Sequence, residues 1–443
     1  MTERRLTFAP RGHMLTNTAV WSPDSRWLVF DTRSAIDGSV FDGTQIGRVD
    51  VVTGRVETLY ESRAGACCGA VTASPADDRV FFILGPERPS ADWSYGPTRR
   101  QGVIVHASRP GFAAPLDARD LVAPYTPGAL RGGTHVHVCH GDGTLVSSTY
   151  EDAVLETPLI HASSRLAVPR SRQRNMRGVA VSVCGRPVRV PATHDRNHDG
   201  TAFTVLVTEL TDDPRPGSDE ISRACEEGWI GVAGYDRGDG TRQRHALAFQ
   251  GTVTATTGAV YPEVFLVDLP DHPRDLEIPG ARPLAGTPTT RAAPPRGLVQ
   301  RRLTHTADRS HPGLSGPRHW LRSSPDGSRI ACLMCDEAGV VQLFTVSPCG
   351  GEPSQLTRDP WPVASAFSWS PAGDRIAYVA DGSVMTVDAS TGESRRLTHP
   401  TTGPTAPRPE ACVFAPDGKA IAYMRTLPTA AGALNHIFVT PAD

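Results

Sequence analysis

One local pattern recurs along the chain, a proline-containing turn of the Ser-Pro-Asp-Gly type followed at once by a short run of apolar or aromatic residues. Clear copies lie at residues 21–30, 324–332, 370–378 and 415–423, a fifth lies at 74–82, and a degenerate copy lies at 140–146. Proline presets φ at the first turn position, and Gly or Asp tolerates the unusual conformation that follows. Each copy therefore predicts two strands joined by a tight turn.

Two of the units continue in the same way. Each has a third strand-like run, at 341–346 or 384–387, then a second turn, and then Gln355-Leu356-Thr357 or Arg396-Leu397-Thr398. Four strands in about 45 residues are typical of one blade of a β-propeller, in which stacked blades bury a continuous core. The repeat predicts an all-β, seven-bladed β-propeller, with blades at about 18–63, 68–122, 133–191, 225–304, 318–357, 365–398 and 411–440 with 4–8. A further strand-like run at 201–208 either completes the third blade or opens an eighth.

The two ends of the chain complement each other. The last unit stops after its third strand, at residues 435–440, whereas the chain begins with Arg5-Leu6-Thr7. We expect this N-terminal strand to complete the last blade and close the ring, which removes open sheet edges. Residues 1–443 are then one domain with long irregular loops at about 85–131, 162–224 and 270–300. Their aromatic, Arg and His content predicts ordered loops that cover one mouth of the ring.

The composition excludes some classes of partner. The chain has 45 basic and 47 acidic residues, a net charge of −2, and this balance argues against nucleic-acid binding, which needs a basic stripe. The sequence shows neither a signal-peptide pattern nor a long apolar run, so we expect a cytoplasmic protein with no membrane partner. Its nine cysteines lack the spacing of a disulfide framework or of a zinc site, which predicts buried, reduced thiols.

The segment Thr134–His140 opens the third blade and is the first candidate site. Side chains alternate along a strand, so His135 and His137 are expected on one face, toward the central channel. There they either bind a divalent metal (manganese, zinc, iron or calcium) or hydrogen-bond to backbone groups at a blade junction.

The segment 311–320 leads into the innermost strand of a later blade and is the second candidate. Arg318 and His319 are expected to meet the first pair across the channel, where Arg318 would hold a carboxylate or phosphate and a histidine would act as base or ligand. The alternative is that Arg318 lies solvated at the rim. The predicted roles are catalysis by His319, Arg318 and His311, substrate binding by Arg131, Arg318 and Trp320, and metal binding by His135, His137 and His319.

Two further patterns are weaker. Asp195-Arg196-Asn197-His198-Asp199-Gly200 matches the first half of a calcium loop, but Leu206 occupies the position that requires a bidentate Glu. The segment 217–229 contains four carboxylates beside a tryptophan, which suits acid–base work or an ordinary solvated turn.

The turn-plus-Leu-Thr units resemble TolB-type propeller repeats. Over its full length the chain also resembles the uncharacterised bacterial YidR-like family, in the residues 128–133 with His135 and His137, in 214–221 and in 317–320. A remoter similarity is to oligogalacturonate lyase, which implies a cytoplasmic seven-bladed propeller with a His-rich manganese site for β-elimination on acidic sugars. The Gln-x-x-His-x-His ligand pattern of that enzyme is missing from the corresponding stretch 405–410, and His135/His137 form a His-x-His in a different blade.

Two functions remain open. The first is an enzyme, a metal-assisted lyase or hydrolase that acts on a small anionic carbohydrate or related metabolite at the channel mouth. The second is a non-catalytic scaffold that binds a protein partner. An enzyme needs its histidines and arginines to converge on one pocket, whereas a scaffold needs an exposed apolar patch. The grouping of the histidines favours the enzyme.

Overall fold

The computed structural model describes residues 3–156, 172–430 and 432–443. In these ranges the chain forms seven four-stranded antiparallel sheets, arranged as a seven-bladed β-propeller. The fold class predicted from the repeat is therefore confirmed. Residues Gly200–Leu206 form the fourth strand of the third blade, so there is no eighth blade in the part of the chain described.

In blades 1 to 6 the strands follow chain order from the innermost outward, whereas blade 7 takes its outermost strand from the N-terminus. Blade 1 consists of Gly12–Met14, Trp27–Arg33, Gln45–Asp50 and Val56–Glu61, and blade 2 of Cys68–Ala73, Arg79–Leu84, Gln101–His106 and Ala113–Pro115. Blade 3 consists of Gly132–Cys139, Leu145–Asp152, Gly178–Val188 and Gly200–Leu206, and blade 4 of Ala224–Trp229, His245–Thr254, Val260–Leu269 and Gln300–Arg302. Blade 5 consists of Arg322–Ser323, Ile330–Cys335, Val341–Val346 and Ser354–Gln355, and blade 6 of Ser368–Trp369, Arg375–Ala380, Ser383–Asp388 and Ser394–Arg396. Blade 7 consists of Pro407–Phe414, Ala420–Thr429, Gly432–Pro441 and Arg4–Arg5.

A few short elements lie between these strands. Two-stranded ribbons pair Ala118–Arg119 with Ala129–Leu130 and Tyr235–Asp236 with Arg242–Gln243. One α-helical turn spans Ala153–Glu156, and 3₁₀ turns span Pro273–Glu277 and Gly403–Thr405. No described helix is long and apolar enough to cross a membrane.

The N-terminal strand closes the ring, as the sequence predicts. Arg4 and Arg5 pair antiparallel with Val439 and Phe438, and the Leu6 amide donates to the Ile437 carbonyl at 2.8 Å. The last blade therefore takes its outermost strand from the opposite end of the chain.

A buried threonine follows the outermost strand in five blades and explains the Leu-Thr repeat. Its hydroxyl accepts the hydrogen bond of a third-strand amide that the short fourth strand leaves free. The pairs are Thr7 with Ile437, Thr208 with Val179, Thr304 with Val264, Thr357 with Leu343, and Thr398 with Val384, at 2.9–3.0 Å. The Arg or Gln two residues earlier completes the motif, since Arg5, Arg302 and Gln355 donate to the carbonyls of Thr7, Thr304 and Thr357.

Three tryptophans tie innermost strands together around the channel. Trp229 and Trp369 end their innermost strands, Trp21 lies just before the first turn of blade 1, and each donates its indole N–H to a carbonyl on the preceding blade. The pairs are Trp21 with Val413 at 3.0 Å, Trp229 with Val138 at 2.8 Å, and Trp369 with Arg322 at 2.9 Å. A buried indole N–H needs such a partner, so the aromatic residue before the turn has a structural role here.

The innermost strands of blades 2, 3 and 4 carry a bulge at the same position. Ala70, Val136 and Glu226 have φ of 53°, 51° and 59°, and the strand register shifts at each of them. A bulge inserts one residue into the strand and so re-aims the side chains that follow it. Positive φ is unusual for a β-branched residue such as Val136.

The long loops differ in part from the prediction. Residues 157–171 lie outside the described residues, and the remainder of 162–224 contains two strands of blade 3. The segment 270–299 packs on blades 3 and 4, where Arg186 binds Glu277 through two hydrogen bonds of 2.8 and 2.9 Å and Arg291 donates to the Leu210 carbonyl at 2.9 Å.

All nine cysteines are free thiols, and five of them are buried. Burial raises the pKa of the Cys68 and Cys412 thiols, so they stay protonated and unreactive.

Thr7→Val tests the ring closure. It keeps the size and shape of the side chain but leaves the buried Ile437 amide without an acceptor, which costs about 1–3 kcal/mol. We expect the free energy of unfolding to fall by that amount in a denaturant titration, whereas the same change at exposed Thr402 leaves it unaltered. Equal stability of Thr7→Val and wild type would contradict this account of the motif.

Candidate active site at the upper mouth of the channel

The upper mouth is defined here as the end of the channel where the innermost strands begin, and the lower mouth as the end where they reach the first turns. His135 lies at the upper mouth and is only partly buried. Burial and the neighbouring positive charges of Arg100 and Arg177 lower its pKa well below the usual value, so its imidazole is neutral.

His137 does not share this environment, which differs from the expectation that the two histidines face the same way. The bulge at Val136 breaks the alternation and brings His137 to Thr134, whose hydroxyl lies 2.9 Å from Nε2. The ring is 1% exposed and packs against Gly102 of blade 2. Burial lowers the pKa of His137 to about 3, which makes it a neutral packing residue between two blades.

Arg100 brings an unpaired positive charge to the mouth. The residue is 7% exposed, its Nε has no hydrogen-bond acceptor, and it forms no ion pair with any described residue. Burial lowers its pKa, although a side-chain hydrogen bond to Tyr95 opposes this shift, and its charge acts on His135. A guanidinium held this way costs free energy unless an anion compensates it.

Two neighbouring arginines are held by carboxylates. Arg33 Nε lies 2.7 Å from Asp31, which also accepts the amide of the bulged residue Ala70 at 3.1 Å. Arg177 Nε donates to Glu151 at 2.7 Å. These ion pairs hold two guanidinium groups beside His135. Because a carboxylate already compensates each positive charge, Arg33 and Arg177 attract an anionic ligand less strongly than an unpaired arginine does.

The segment before blade 5 reaches across the mouth. Arg318 is exposed, and its Nη2 lies 3.4 Å from the Asp37 carbonyl of blade 1. Arg33 donates to the next carbonyl, that of Gly38, at 3.0 Å. Blades 1 and 5 are not neighbours in the ring, so this contact brings Arg318 over the channel opening, toward Arg33.

His319 lies close to a carboxylate of blade 4. Its Nε2 lies 3.1 Å from Oε2 of Glu226, the residue at the bulge, and both side chains are about one-fifth exposed, at 23% and 21%. The carbonyl of His319 accepts from buried Gln250 at 2.8 Å, which fixes the backbone. The imidazole and the carboxylate lie close enough to interact electrostatically.

His311 and Arg131 lie elsewhere. His311 is exposed and rests against Gly339 in a turn of blade 5, away from His319. Arg131 is 1% exposed, binds Asp152 and donates to the carbonyls of Thr287 and Thr290. Its donors are all engaged, so it anchors the segment 283–292 to blade 3 and differs from the expected substrate ligand.

Trp320 belongs to an apolar cluster beside His135. Like Phe41 and Tyr95, whose rings stack at 4.6 Å, it packs against the buried residues Ala70, Ile83 and Val136. Val136 is the neighbour of His135 in sequence, so this cluster gives the site an apolar side.

The lower half of the channel contains two buried ionisable side chains. Glu227 and Arg322 line a cavity of about 400 Å³ that also touches Trp21, Trp229 and Trp369. Burial raises the pKa of Glu227 to about 7 and lowers that of Arg322 to about 10. Sequence reasoning noted the acidic segment but not that a bulge turns two consecutive glutamates toward different partners.

The predicted metal ligands do not come together. Among the described residues, the one group of three or more His, Cys, Asp or Glu side chains with metal-ligand spacing is His140, Asp142 and His245, at the junction of blades 3 and 4. His135, His137 and His319 form no such group, which corrects the predicted ligand set. Two side chains of the candidate calcium turn already have protein partners, because Asp199 binds Arg189 and Asn197 donates to Asp120 at 3.1 Å.

The fold and channel define a β-propeller of the kind found in oligogalacturonate lyase. A structure described as oligogalacturonate lyase in complex with manganese matches with a TM-score of 0.55 and 13% identity, covering 99% of this chain and 92% of that one. The oligogalacturonate lyase of Vibrio parahaemolyticus matches with a TM-score of 0.54 and 11% identity, covering 100% and 98%. At such identities the likeness extends to the fold alone.

The sequence itself identifies the family. The chain is 44% identical to the uncharacterised protein YidR of Escherichia coli (strain K12) over 425 residues, which cover 95% of this chain and 94% of that protein. Residues 67–198 match a family described as a protein of unknown function, DUF3748. The chain therefore belongs to the YidR family, which confirms the resemblance seen in the sequence.

Glu227→Gln tests the raised pKa in the channel. Between the unfolded pKa of about 4.5 and the folded pKa of about 7, folded protein keeps a proton that the unfolded chain loses, so stability falls as pH rises through this window. Gln cannot ionise. We expect the variant to gain stability over wild type by roughly 3 kcal/mol between about pH 5 and about pH 8.

The measurement is thermal unfolding across that pH window, with Glu61→Gln, at an exposed carboxylate, as the control. A stability difference between Glu227→Gln and wild type that does not change with pH would contradict the assignment.

Proposed function

We propose that the upper mouth binds a small anionic metabolite, such as an acidic carbohydrate, and catalyses a lyase or hydrolase reaction on it. The observation that carries this proposal is Arg100, a guanidinium that is 7% exposed and has no ion-pair partner among the described residues. A carboxylate is the ligand that such a group requires, since it compensates the buried charge through paired N–H donors.

The neighbouring groups suit the same ligand. Arg318 reaches over the opening without a carboxylate partner among the described residues, and the neutral His135 adds a hydrogen-bonding group. Trp320 and Tyr95 supply an apolar face, against which the carbon face of a sugar ring can pack. Charge on one side and aromatic surface on the other is the arrangement that a sugar acid needs.

His319 and Glu226 supply the proton transfer. β-Elimination from a sugar acid requires a base to take the proton next to the carboxylate while the leaving oxygen departs from the adjacent carbon. Glu226 Oε2 lies 3.1 Å from Nε2 of His319, so a carboxylate stands beside the imidazole that would act as the base. Arg100 and Arg318 would stabilise the negative charge that develops on the carboxylate.

The upper mouth does not fit the manganese chemistry of oligogalacturonate lyase. It offers His135, His319 and Glu226 without the three-ligand grouping that a divalent metal needs, and the second expected histidine is turned between blades. No step of the proposed reaction therefore uses a metal ion.

A binding experiment with two variants tests this function. The probes are glucuronate and galacturonate, with glucose as the neutral control, and binding is measured by calorimetry. Arg100→Gln is expected to weaken sugar-acid binding roughly 10- to 100-fold, because it removes charge-assisted hydrogen bonds. The matched control is Arg395→Gln, at an exposed arginine of blade 6.

Turnover is measured separately, on short uronate oligosaccharides, from the absorbance of the unsaturated product or from new reducing ends. His319→Gln is expected to retain binding and to lose about 100-fold or more in rate. Failure of wild type to bind either sugar acid, or equal binding of glucose, would overturn the proposed substrate class.

The alternative function is a scaffold for a protein partner. What supports it is the lower mouth, where apolar residues of the blade turns, among them Pro23, Pro75, Pro325, Pro371 and Pro416, surround the 400 Å³ cavity. A partner captured there would be insensitive to Arg100→Gln, so the same variant separates the two functions.

A further inference from the structure

His140, Asp142 and His245 form a compact cluster at the junction of blades 3 and 4. His140 and Asp142 belong to the first turn of blade 3, and His245 begins the second strand of blade 4. Nδ1 of His140 lies 2.9 Å from Oδ1 of Asp142, and Nε2 of His245 lies 2.8 Å from Oδ2. The three ligand atoms all lie within 4.8 Å of one another.

Both imidazoles are buried, whereas the carboxylate side is open. His140 and His245 are 2% and 3% exposed, their rings meet edge to face at 4.8 Å, and Trp229 covers His140 at 5.0 Å. The Asp142 side chain is 35% exposed. The remaining ring nitrogens, Nε2 of His140 and Nδ1 of His245, are buried without a hydrogen-bond partner in the described chain.

Nδ1 of His140 lies close to two groups of Asp142, its amide and its carboxylate. The Asp142 amide donates to Nδ1 of His140 at 3.3 Å, so this nitrogen presents a lone pair while it also lies 2.9 Å from the Asp142 carboxylate. Two lone pairs at that distance repel unless a proton or a cation lies between them.

The carboxylate is also oriented as a metal ligand would be. The Thr144 amide and hydroxyl donate to Oδ1 at 2.9 and 2.6 Å. Such outer hydrogen bonds fix the ligand geometry at protein metal sites.

We propose that His140, Asp142 and His245 bind one divalent transition-metal ion that joins blade 3 to blade 4. Two neutral imidazoles and one carboxylate suit zinc and its first-row neighbours, and they leave a coordination position on the exposed side for water. The histidines lie 105 residues apart in sequence, 245 − 140, so the ion links two parts of the ring and stabilises the folded state by mass action. This site is separate from the upper mouth, and the proposal does not rest on the proposed reaction.

The experiment uses the full chain purified without a histidine tag, freed of metal with a chelator and then titrated with Zn²⁺ or Mn²⁺. Bound metal is measured by elemental analysis after desalting, and stability by thermal unfolding. We expect one equivalent of one of these ions and a higher melting temperature. His245→Gln and Asp142→Asn are each expected to weaken binding at least about tenfold and to abolish the rise.

His106→Gln is the matched control. It breaks a second histidine–carboxylate pair, His106 with Asp78 at 2.8 Å on blade 2, which has no second imidazole. Its metal content and its metal-dependent melting rise should equal those of wild type. If a variant of the cluster is too unstable to purify, the other one decides the outcome.

Wild type that binds neither ion, or variants that bind as wild type does, would overturn the site. The cluster would then be a hydrogen-bonded His-Asp-His relay that holds the two blades together without an ion.

Discussion

Each blade of this ring is apolar on both faces, so the structure depends on every blade having a neighbour on each side. Closure by the N-terminal strand meets that condition for blades 1 and 7, whose side chains share one core that includes Leu6, Trp21, Val413 and Ile437. Without Arg4–Arg5, the strand Gly432–Pro441 would present an open edge. The Leu-Thr motif belongs to the same constraint, because the buried threonine satisfies the amide at which the short outer strand ends.

The channel chemistry depends on a smaller departure from regular structure. Bulges at the same position in blades 2, 3 and 4 re-aim innermost-strand side chains that would otherwise alternate. In blade 3 the bulge leaves His135 at the upper mouth and moves His137 between blades. In blade 4 it directs Glu226 to His319 and leaves Glu227 in the lower cavity. One backbone device thus separates groups that are adjacent in sequence into different environments.

The repeats predicted the fold because turns and strand patterns are local properties of the sequence. Blade number and ring closure follow from counting units and from the missing fourth strand of the last one. The site was harder to predict because a positive φ at Val136 or Glu226 is not marked by glycine, so strict alternation was the natural assumption for His135 and His137. Arg131 shows the second limit, since its partner Thr287 lies 156 residues away and no short-range pattern indicates that contact. The sequence did not mark His245 as a site residue for the same reason, because its partner Asp142 lies 103 residues earlier.

The strand Ala224–Trp229 connects the two proposed sites physically. Glu226 holds His319 at the upper mouth, Glu227 faces the cavity below, and Trp229 covers His140 and donates to the Val138 carbonyl of blade 3. A cation between His140 and His245 would fix blade 4 against blade 3 at the end of this strand. Glu226 lies in the same short strand, three residues before Trp229. Metal binding between blades 3 and 4 would therefore limit how far this strand can shift. It would hold Glu226 in place at the upper mouth without taking part in the reaction there.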